Sequence, residues 1–280
     1  MSEFQDAVNR FFHEFDLIRR QADLTFLSEI LAAFAHFPYE NLTKIIRLHS
    51  SPSPRERLRM PDEIMADYRR YKTGGTCFSL SFFLDAILKS AGFTSYIAMA
   101  DMHIGRNVHC VVIALLGTEK YICDPGYLIH LPLRLPREQG WIFETDTAWL
   151  EIVPEAAIPG NYTIWTMTNQ ARKYRYTLRD EPTERAAFFD YWQASFELAS
   201  MHSLIVTTVR AGEQFYLKNR SIRIANRVGK KNQKIKQDLE NTIAGVFGID
   251  PRITEEARAA LIEYFAGIGR LSRLRTPDSR

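Results

Sequence analysis

Apolar positions recur every three or four residues at the start of the chain. Val8, Phe11, Phe12, Phe15 and Ile18 share one helical face, and Leu24, Leu27, Leu31 and Phe34 make a second stripe over residues 24–35. Pro38 then bends the chain, and residues 50–54 form a Ser/Pro loop. A third helix is predicted from Cys77, with Leu80, Phe83, Leu84, Ile87, Leu88 and Ala91 inward and Gly92 as its stop. From Thr94 the period becomes that of strands, over 95–100, 107–116, 120–123, 145–153, 162–167 and 173–178. A helix follows over 184–199 with Phe188, Phe189, Trp192 and Phe196 on one face. Residues 204–209 and 214–217 read as a strand pair turning at Ala211-Gly212. Helices are predicted over 233–246 and 254–265, the latter capped by Thr254, and the basic tail beyond Gly269 is expected to fray.

This order divides the chain into helical residues 1–93, a strand-rich stretch 94–200 and a mixed segment 201–280. An apolar share of 46% and a charged share of 25% are those of a soluble globular protein. The longest apolar run, Cys110 to Leu116, is far too short for a membrane span. The first residues carry Glu3 and Asp6 where a secretory signal has basic and apolar segments. Three cysteines do not make a disulfide framework, so a reducing, cytoplasmic setting is expected. Neither a Cys-x-x-Cys pair nor a His-x-x-x-His motif argues for a metal. Net charge is +3, yet eight basic residues and no acid lie between Lys218 and Lys236. That run is read first as a solvated face and second as a surface for cofactor phosphates. No nucleic-acid motif accompanies it.

Chemistry concentrates at three positions. Cys77 follows Gly74-Gly75-Thr76 at a predicted helix N-terminus, where the macrodipole favours thiolate over thiol. His109 opens an apolar strand and Asp124 ends the next. A hairpin centred between Leu116 and Gly117 places the two directly opposite. A two-residue Gly117-Thr118 turn leaves them diagonal on one face, and a three-residue loop separates their faces. Cys110 and Cys123, flanked by strand residues, read as buried apolar packing. A cysteine, a histidine and an aspartate in reach of one another point to covalent acyl chemistry.

Around these residues the chain resembles the arylamine N-acetyltransferases. Gly74, Gly75, Cys77 and Phe78 match the family's Arg-Gly-Gly-x-Cys-Phe-Glu motif, and Pro38-Tyr39-Glu40-Asn41-Leu42 is similar to its Pro-Phe-Glu-Asn-Leu signature. His109, Asp124 and Gly126 sit where the family has its histidine and its Val-Asp-Val-Gly-Phe-Gly segment. Pro132-Leu133-Arg134-Leu135 and residues 203–221 extend the likeness. The resemblance implies an α+β fold: an N-terminal helical bundle, a central antiparallel β-barrel-like domain and a C-terminal α/β lid. It also implies a cysteine-protease-like Cys-His-Asp core. The implied reaction is ping-pong transfer of acetyl from acetyl-CoA, a coenzyme A thioester, to an arylamine or hydrazine, with Cys77, His109 and Asp124 catalytic. No metal, nucleic acid or membrane partner is implied. Tyr127, next to the Asp124 turn, is the residue expected to touch substrate.

The departures are as specific as the matches. Thr73 replaces the motif's arginine, and Lys72 lacks the planar fork to replace it, which leaves Glu40 without the motif's partner. Ser79 stands where a glutamate or glutamine is usual. Pro125, Tyr127 and Leu128 alter the segment after Asp124, with Leu128 adding bulk where a glycine let a ligand approach. Three rival readings follow: an amide synthase using another acyl donor, a transglutaminase-like hydrolase, and a non-catalytic partner-binding descendant of the fold.

Overall fold

The structure, a computed structural model, describes residues 3–267. The tail beyond Gly269 lies outside these residues. Helices build the N-terminal part: α1 (Gln5–Glu14), α2 (Leu24–Phe34), α3 (Leu42–Ser50), α4 (Pro61–Tyr71) and α5 (Cys77–Ser90). Strand β1 (Tyr39–Glu40) interrupts them. The α5 stripe is the predicted one: Leu80, Phe83, Leu84, Ile87 and Leu88 are fully buried. Gly92, at φ +88°, ends that helix by letting Phe93 N–H reach back to Leu88 O. Helix α1 stops earlier than its pattern suggests. Asp16 turns into the left-handed region, and Ile18 is left 81% exposed. Helices α3 and α4 are additions to the sequence reading. Pro61 sets the first turn of α4, and the Glu63 carboxylate accepts the Met60 N–H.

Eight antiparallel strands follow in a barrel-like sheet: β2 (Thr94–Met102), β3 (Gly105–Leu116), β4 (Glu119–Cys123), β5 (Leu133–Arg134), β6 (Trp141–Glu144), β7 (Trp149–Pro154), β8 (Asn161–Thr168) and β9 (Ala171–Arg179). Their spatial order is β5-β4-β3-β2-β9-β8-β7-β6. Strand alternation divides β3 between two cores. Cys110, Val112 and Ala114 pack with the helices, whereas Val111 and Ile113 join the sheet's own interior with Ile122, Tyr176 and Leu178. Helix α5 lies across β2 and β3.

After α6 (Arg185–Ala194) and two short 3-10 turns comes a second antiparallel sheet: β10 (Ile205–Arg210), β11 (Glu213–Lys218), β12 (Ser221–Ala225) and β13 (Lys230–Lys234). The turn between β10 and β11 is the expected Ala211-Gly212, both at positive φ. The helix expected over 233–246 is corrected. Its first part belongs to β13, which pairs with β12, and helix α7 spans Leu239–Phe247. The cause is legible in charge: Lys230, Lys231 and Lys234 are exposed on a free sheet edge, where lysines discourage further pairing. Helix α8 (Pro251–Gly267) packs on α3. Thr254 does not cap it. The helix starts three residues earlier, at Pro251, and the Thr254 hydroxyl is buried without a partner. No described helix is long and apolar enough to cross a membrane.

Strand β1 ties the parts together. Tyr39 pairs with Thr207 of β10 on one side and forms a parallel bridge with Gly75 on the other. Asn41 fastens the same corner: its amide donates to Ser200 O and Ser203 O, and its carbonyl accepts the Ile205 N–H.

Candidate active site

The segment before Cys77 is shaped by close backbone packing. Glu40 N–H donates to Gly75 O at 2.9 Å, and Gly75 N–H to Pro38 O at 3.3 Å. A Cβ on Gly74 would lie 2.0 Å from Pro38 O, and one on Gly75 would lie 2.2 Å from the Ser79 hydroxyl. Two glycines are therefore a steric requirement for this chain path. Cys77 is the first residue of α5, 7% exposed, with Sγ 4.0 Å from Val108 O.

The hairpin of β3 and β4 has the two-residue turn at Gly117-Thr118, with Leu116 opposite Glu119 and Val112 opposite Cys123. Of the three registers open to the sequence, this is the diagonal one. His109 Nε2 lies 3.1 Å from Asp124 Oδ2. An ionised carboxylate only accepts, so Nε2 carries the hydrogen and Nδ1 is left for the Cys77 side. Asp124 is fully buried and engages two further donors: its Oδ1 accepts the Tyr127 N–H at 3.1 Å, and Oδ2 accepts the Tyr176 hydroxyl at 2.7 Å.

Charge is distributed to match. Contact with the buried Cys110 thiol is the main influence holding Cys77 well below the usual thiol range against the opposing cost of burial; the His109 ring and the Lys44 ammonium act in the same direction. Burial works against a charged His109, yet the Asp124 carboxylate and Cys77 together raise it to about 10. Both shifts favour the form of the pair in which a thiolate faces an imidazolium. Burial, then the Asp124 charge, push the Tyr176 phenol well above its ordinary value, so it stays a donor. Among the described residues no group of three or more His, Cys, Asp or Glu side chains could hold a metal ion.

Aromatic rings wall the histidine. Tyr127 meets it edge-on at 5.3 Å between centroids, and Tyr176 lies tilted at 4.6 Å. Tyr127 is the half-buried member and carries the Arg175 guanidinium 5.9 Å above its ring. Tyr176 has no counterpart in the sequence reading; only its strand was legible. Gly126 closes the group: a Cβ there would lie 2.8 Å from both Cys77 Cβ and His109 Cε1.

Two departures resolve differently from expectation. Glu40 has a cation after all. Arg59, distant in sequence from the motif and only 4% exposed, reaches Glu40 at 3.5 Å, Thr43 Oγ1 at 2.7 Å, Gly74 O at 2.8 Å and Asp67 at 2.8 Å. The missing arginine is replaced in space by one from another segment. Leu128 keeps a glycine-like backbone, at φ 55° and ψ 39°. It lines a small crevice with Leu31 and Phe34 of α2 and the adjoining Ala35, a packing role against the helical bundle.

A family model described as N-acetyltransferase matches residues 23–255. Among solved structures, the arylamine N-acetyltransferase of Mycobacterium abscessus aligns with a TM-score of 0.78 at 16% identity, over 91% of this chain and 93% of that one. The Mycobacterium marinum enzyme in complex with CoA aligns at 0.74 and 16% identity, over 91% and 98%. An arylamine N-acetyltransferase from Bacillus cereus with a Cys-His-Glu catalytic triad aligns at 0.69 and 18% identity, over 89% and 100%. No curated protein sequence matches the chain. Identities this low carry the fold and leave the chemistry to the site itself. With helices, barrel-like sheet and C-terminal sheet in one shared architecture, and a family match running along most of the sequence, this chain belongs to the arylamine N-acetyltransferase family.

Proposed function

We propose that the protein is a cysteine-dependent acyltransferase that moves an acetyl group from acetyl-CoA to an arylamine or hydrazine by a ping-pong route. The observation that carries this reading is the buried Cys77–His109–Asp124 arrangement, with the thiol at the N-terminus of α5 and His109 held by Asp124 at 3.1 Å.

The Cys77 thiolate attacks the thioester carbonyl carbon, and a tetrahedral oxyanion forms. Free N–H groups in the first turn of α5 are suited to hold that charge. The C–S bond to coenzyme A breaks, and the departing thiolate takes the proton of the His109 imidazolium. The amine then attacks the acetyl-cysteine. His109, now neutral, accepts the amine proton as the C–S bond to Cys77 breaks and the thiolate returns. Asp124 stays ionised throughout, fixing the ring's tautomer and supporting its charge. Tyr127, half-buried against the His109 edge, is the residue we assign to substrate contact. The thiol's setting favours a cytoplasmic, reducing environment.

Intact-mass measurement after incubation with acetyl-CoA tests this. An acetyl adduct on the wild type, absent from Cys77→Ala and discharged by an arylamine, is the expected result. No adduct, with Cys77 still alkylated rapidly by iodoacetamide, transfers the reading to an amide synthase with a different acyl donor. The altered Pro125–Leu128 turn favours that alternative. A Cys77 as unreactive as the buried Cys110 and Cys123 leaves only the non-catalytic, partner-binding reading.

A further inference from the structure

Two of the three cysteines meet at the start of α5, and acyl transfer needs only one of them to react. Cys77 and Ser81 are one helical turn apart and share a face of α5. Residues of β3 lie along that face: Cys77 Sγ is 4.0 Å from Val108 O, and the Ser81 hydroxyl donates to Cys110 O at 3.2 Å. Strand alternation turns Cys110 toward the helices, where it joins the same buried cluster as Cys77, Leu80 and Leu84. The two thiol groups are in hydrogen-bond contact.

Their chemical states are complementary. Burial first, and then the neighbouring Cys77, push the Cys110 thiol well above its ordinary value, whereas Cys77 is held below it. Cys110 therefore stays protonated and offers its S–H to the Cys77 sulfur. A stabilised thiolate beside a second thiol is the setting in which oxidation ends in a disulfide rather than a sulfinic acid. Exposure assigns the order of events. Cys77 is 7% exposed and Cys110 0%, so a small oxidant meets Cys77 first and no second protein molecule reaches Cys110.

Cys123 stands apart. It lies opposite Val112 across the β3–β4 hairpin, and its Sγ is directed at Tyr121 O at 3.9 Å. Burial, then the Asp124 charge, raise its thiol. The sequence reading gives Cys110 and Cys123 the same packing role. The structure separates them by what Cys110 touches.

We propose that Cys110 is a resolving cysteine: hydrogen peroxide oxidises Cys77, and the product closes to a reversible Cys77–Cys110 disulfide. The Cys77 thiolate attacks one peroxide oxygen, the O–O bond breaks, and Cys77 becomes a sulfenic acid. The other oxygen leaves as hydroxide and takes the His109 proton, giving water. The Cys110 sulfur then attacks the Cys77 sulfur. The S–S bond forms, the S–O bond breaks, and the departing hydroxide carries off the Cys110 proton as a second water. Two electrons have passed from the sulfurs to the peroxide, and a dithiol returns both cysteines to thiols. The disulfide withholds the nucleophile while the oxidant lasts and spares it from irreversible oxidation. The inference rests on a reactive Cys77 but on no acyl donor.

The test is exposure of the full chain to hydrogen peroxide, followed by denaturation, maleimide labelling and intact-mass measurement. Untreated wild type should take a label on each of its three free cysteines. Oxidised wild type should lose two of those three labels and the mass of two hydrogens, and dithiothreitol should restore both. Peptide mapping should recover a Cys77–Cys110 link. Cys110→Ala should instead gain two oxygens on Cys77 that dithiothreitol does not remove. Cys123→Ser should still form the link. If Cys110→Ala fails to fold, the link mapped in wild type decides the matter. Acetyl-CoA takes no part, so loss of the disulfide and loss of the acetyl adduct are separate outcomes. Three labels retained after exposure, a link through Cys123, or a wild type that reaches the sulfinic acid as readily as Cys110→Ala overturns the proposal.

Discussion

Tyr176 donates its hydroxyl to Asp124 Oδ2 at 2.7 Å, the oxygen that also receives His109 Nε2 at 3.1 Å. One buried carboxylate oxygen thus serves a phenol and an imidazole at once. Replacing Tyr176 by Phe removes a charge-assisted bond and leaves the carboxylate under-satisfied, at a cost of about 1.5–3 kcal/mol. Urea unfolding of Tyr176→Phe should show that loss, and an unchanged midpoint would mean the bond contributes nothing.

Gly126 is the tightest steric point of the site. Adding one methyl forces Cys77 Cβ and His109 Cε1 to give way from 2.8 Å. Gly126→Ala should cost about 1–3 kcal/mol as an overpacked interior position. Its effect on acyl transfer should be larger, about 10²-fold, because a misplacement of about 1 Å is that expensive. Single-turnover acylation together with urea unfolding separates the two.

The Cys77–His109 pair sets a pH window. Alkylation of Cys77 by iodoacetamide should stay rapid well below the ordinary thiol range, and His109→Gln should move its profile up by about 1–3 pH units. Proton counting gives the sign for stability. Below the ordinary histidine value of 6.5, the unfolded chain holds protons on both groups and the native pair holds one, so stability falls as pH drops toward the depressed Cys77 value. Between 6.5 and 9.0 each state holds one proton, and stability is flat. Above 9.0 the native pair keeps a proton until His109 titrates at about 10, so stability falls again. Urea midpoints across this range check the plateau, which Cys77→Ala should erase.

Arg59 and Glu40 form a buried pair, 4% and 0% exposed, at 3.5 Å. Burial raises the Glu40 carboxyl, and Arg59 is the largest influence opposing it. Arg59→Met strands that charge and should destabilise the fold by about 3–5 kcal/mol. Adding Glu40→Gln should recover part of the loss. A double variant as unstable as the sum of the singles would show that the pair is not coupled.

The sequence disclosed what local periodicity controls. Helix α5 begins at the expected Cys77, and the face-sharing of His109 and Asp124 follows from strand parity and a short turn. Tyr176 escaped because it lies 52 positions from Asp124 and reaches it only through the pairing of β9 with β2. Arg59 escaped for a similar reason. It follows a Ser/Pro loop that has no period to read, and the tertiary path of the chain between α3 and α4 brings it to Glu40. The last two residues of the lysine-rich β13 fall inside the predicted 233–246 helix because an edge strand exposed on both faces shows no alternation to distinguish it.

Two residues, Tyr39 and Glu40, join β10 to the segment that ends at Cys77. No slack loop lies between them to absorb a displacement. A displacement of the C-terminal sheet therefore has a direct backbone route to Gly75, two residues from the thiol. In isotope-exchange terms, the amides of Glu40 and Gly75 should open together with the β1–β10 pairing. Loosening of a sheet more than a hundred residues downstream should therefore reach the chain beside Cys77.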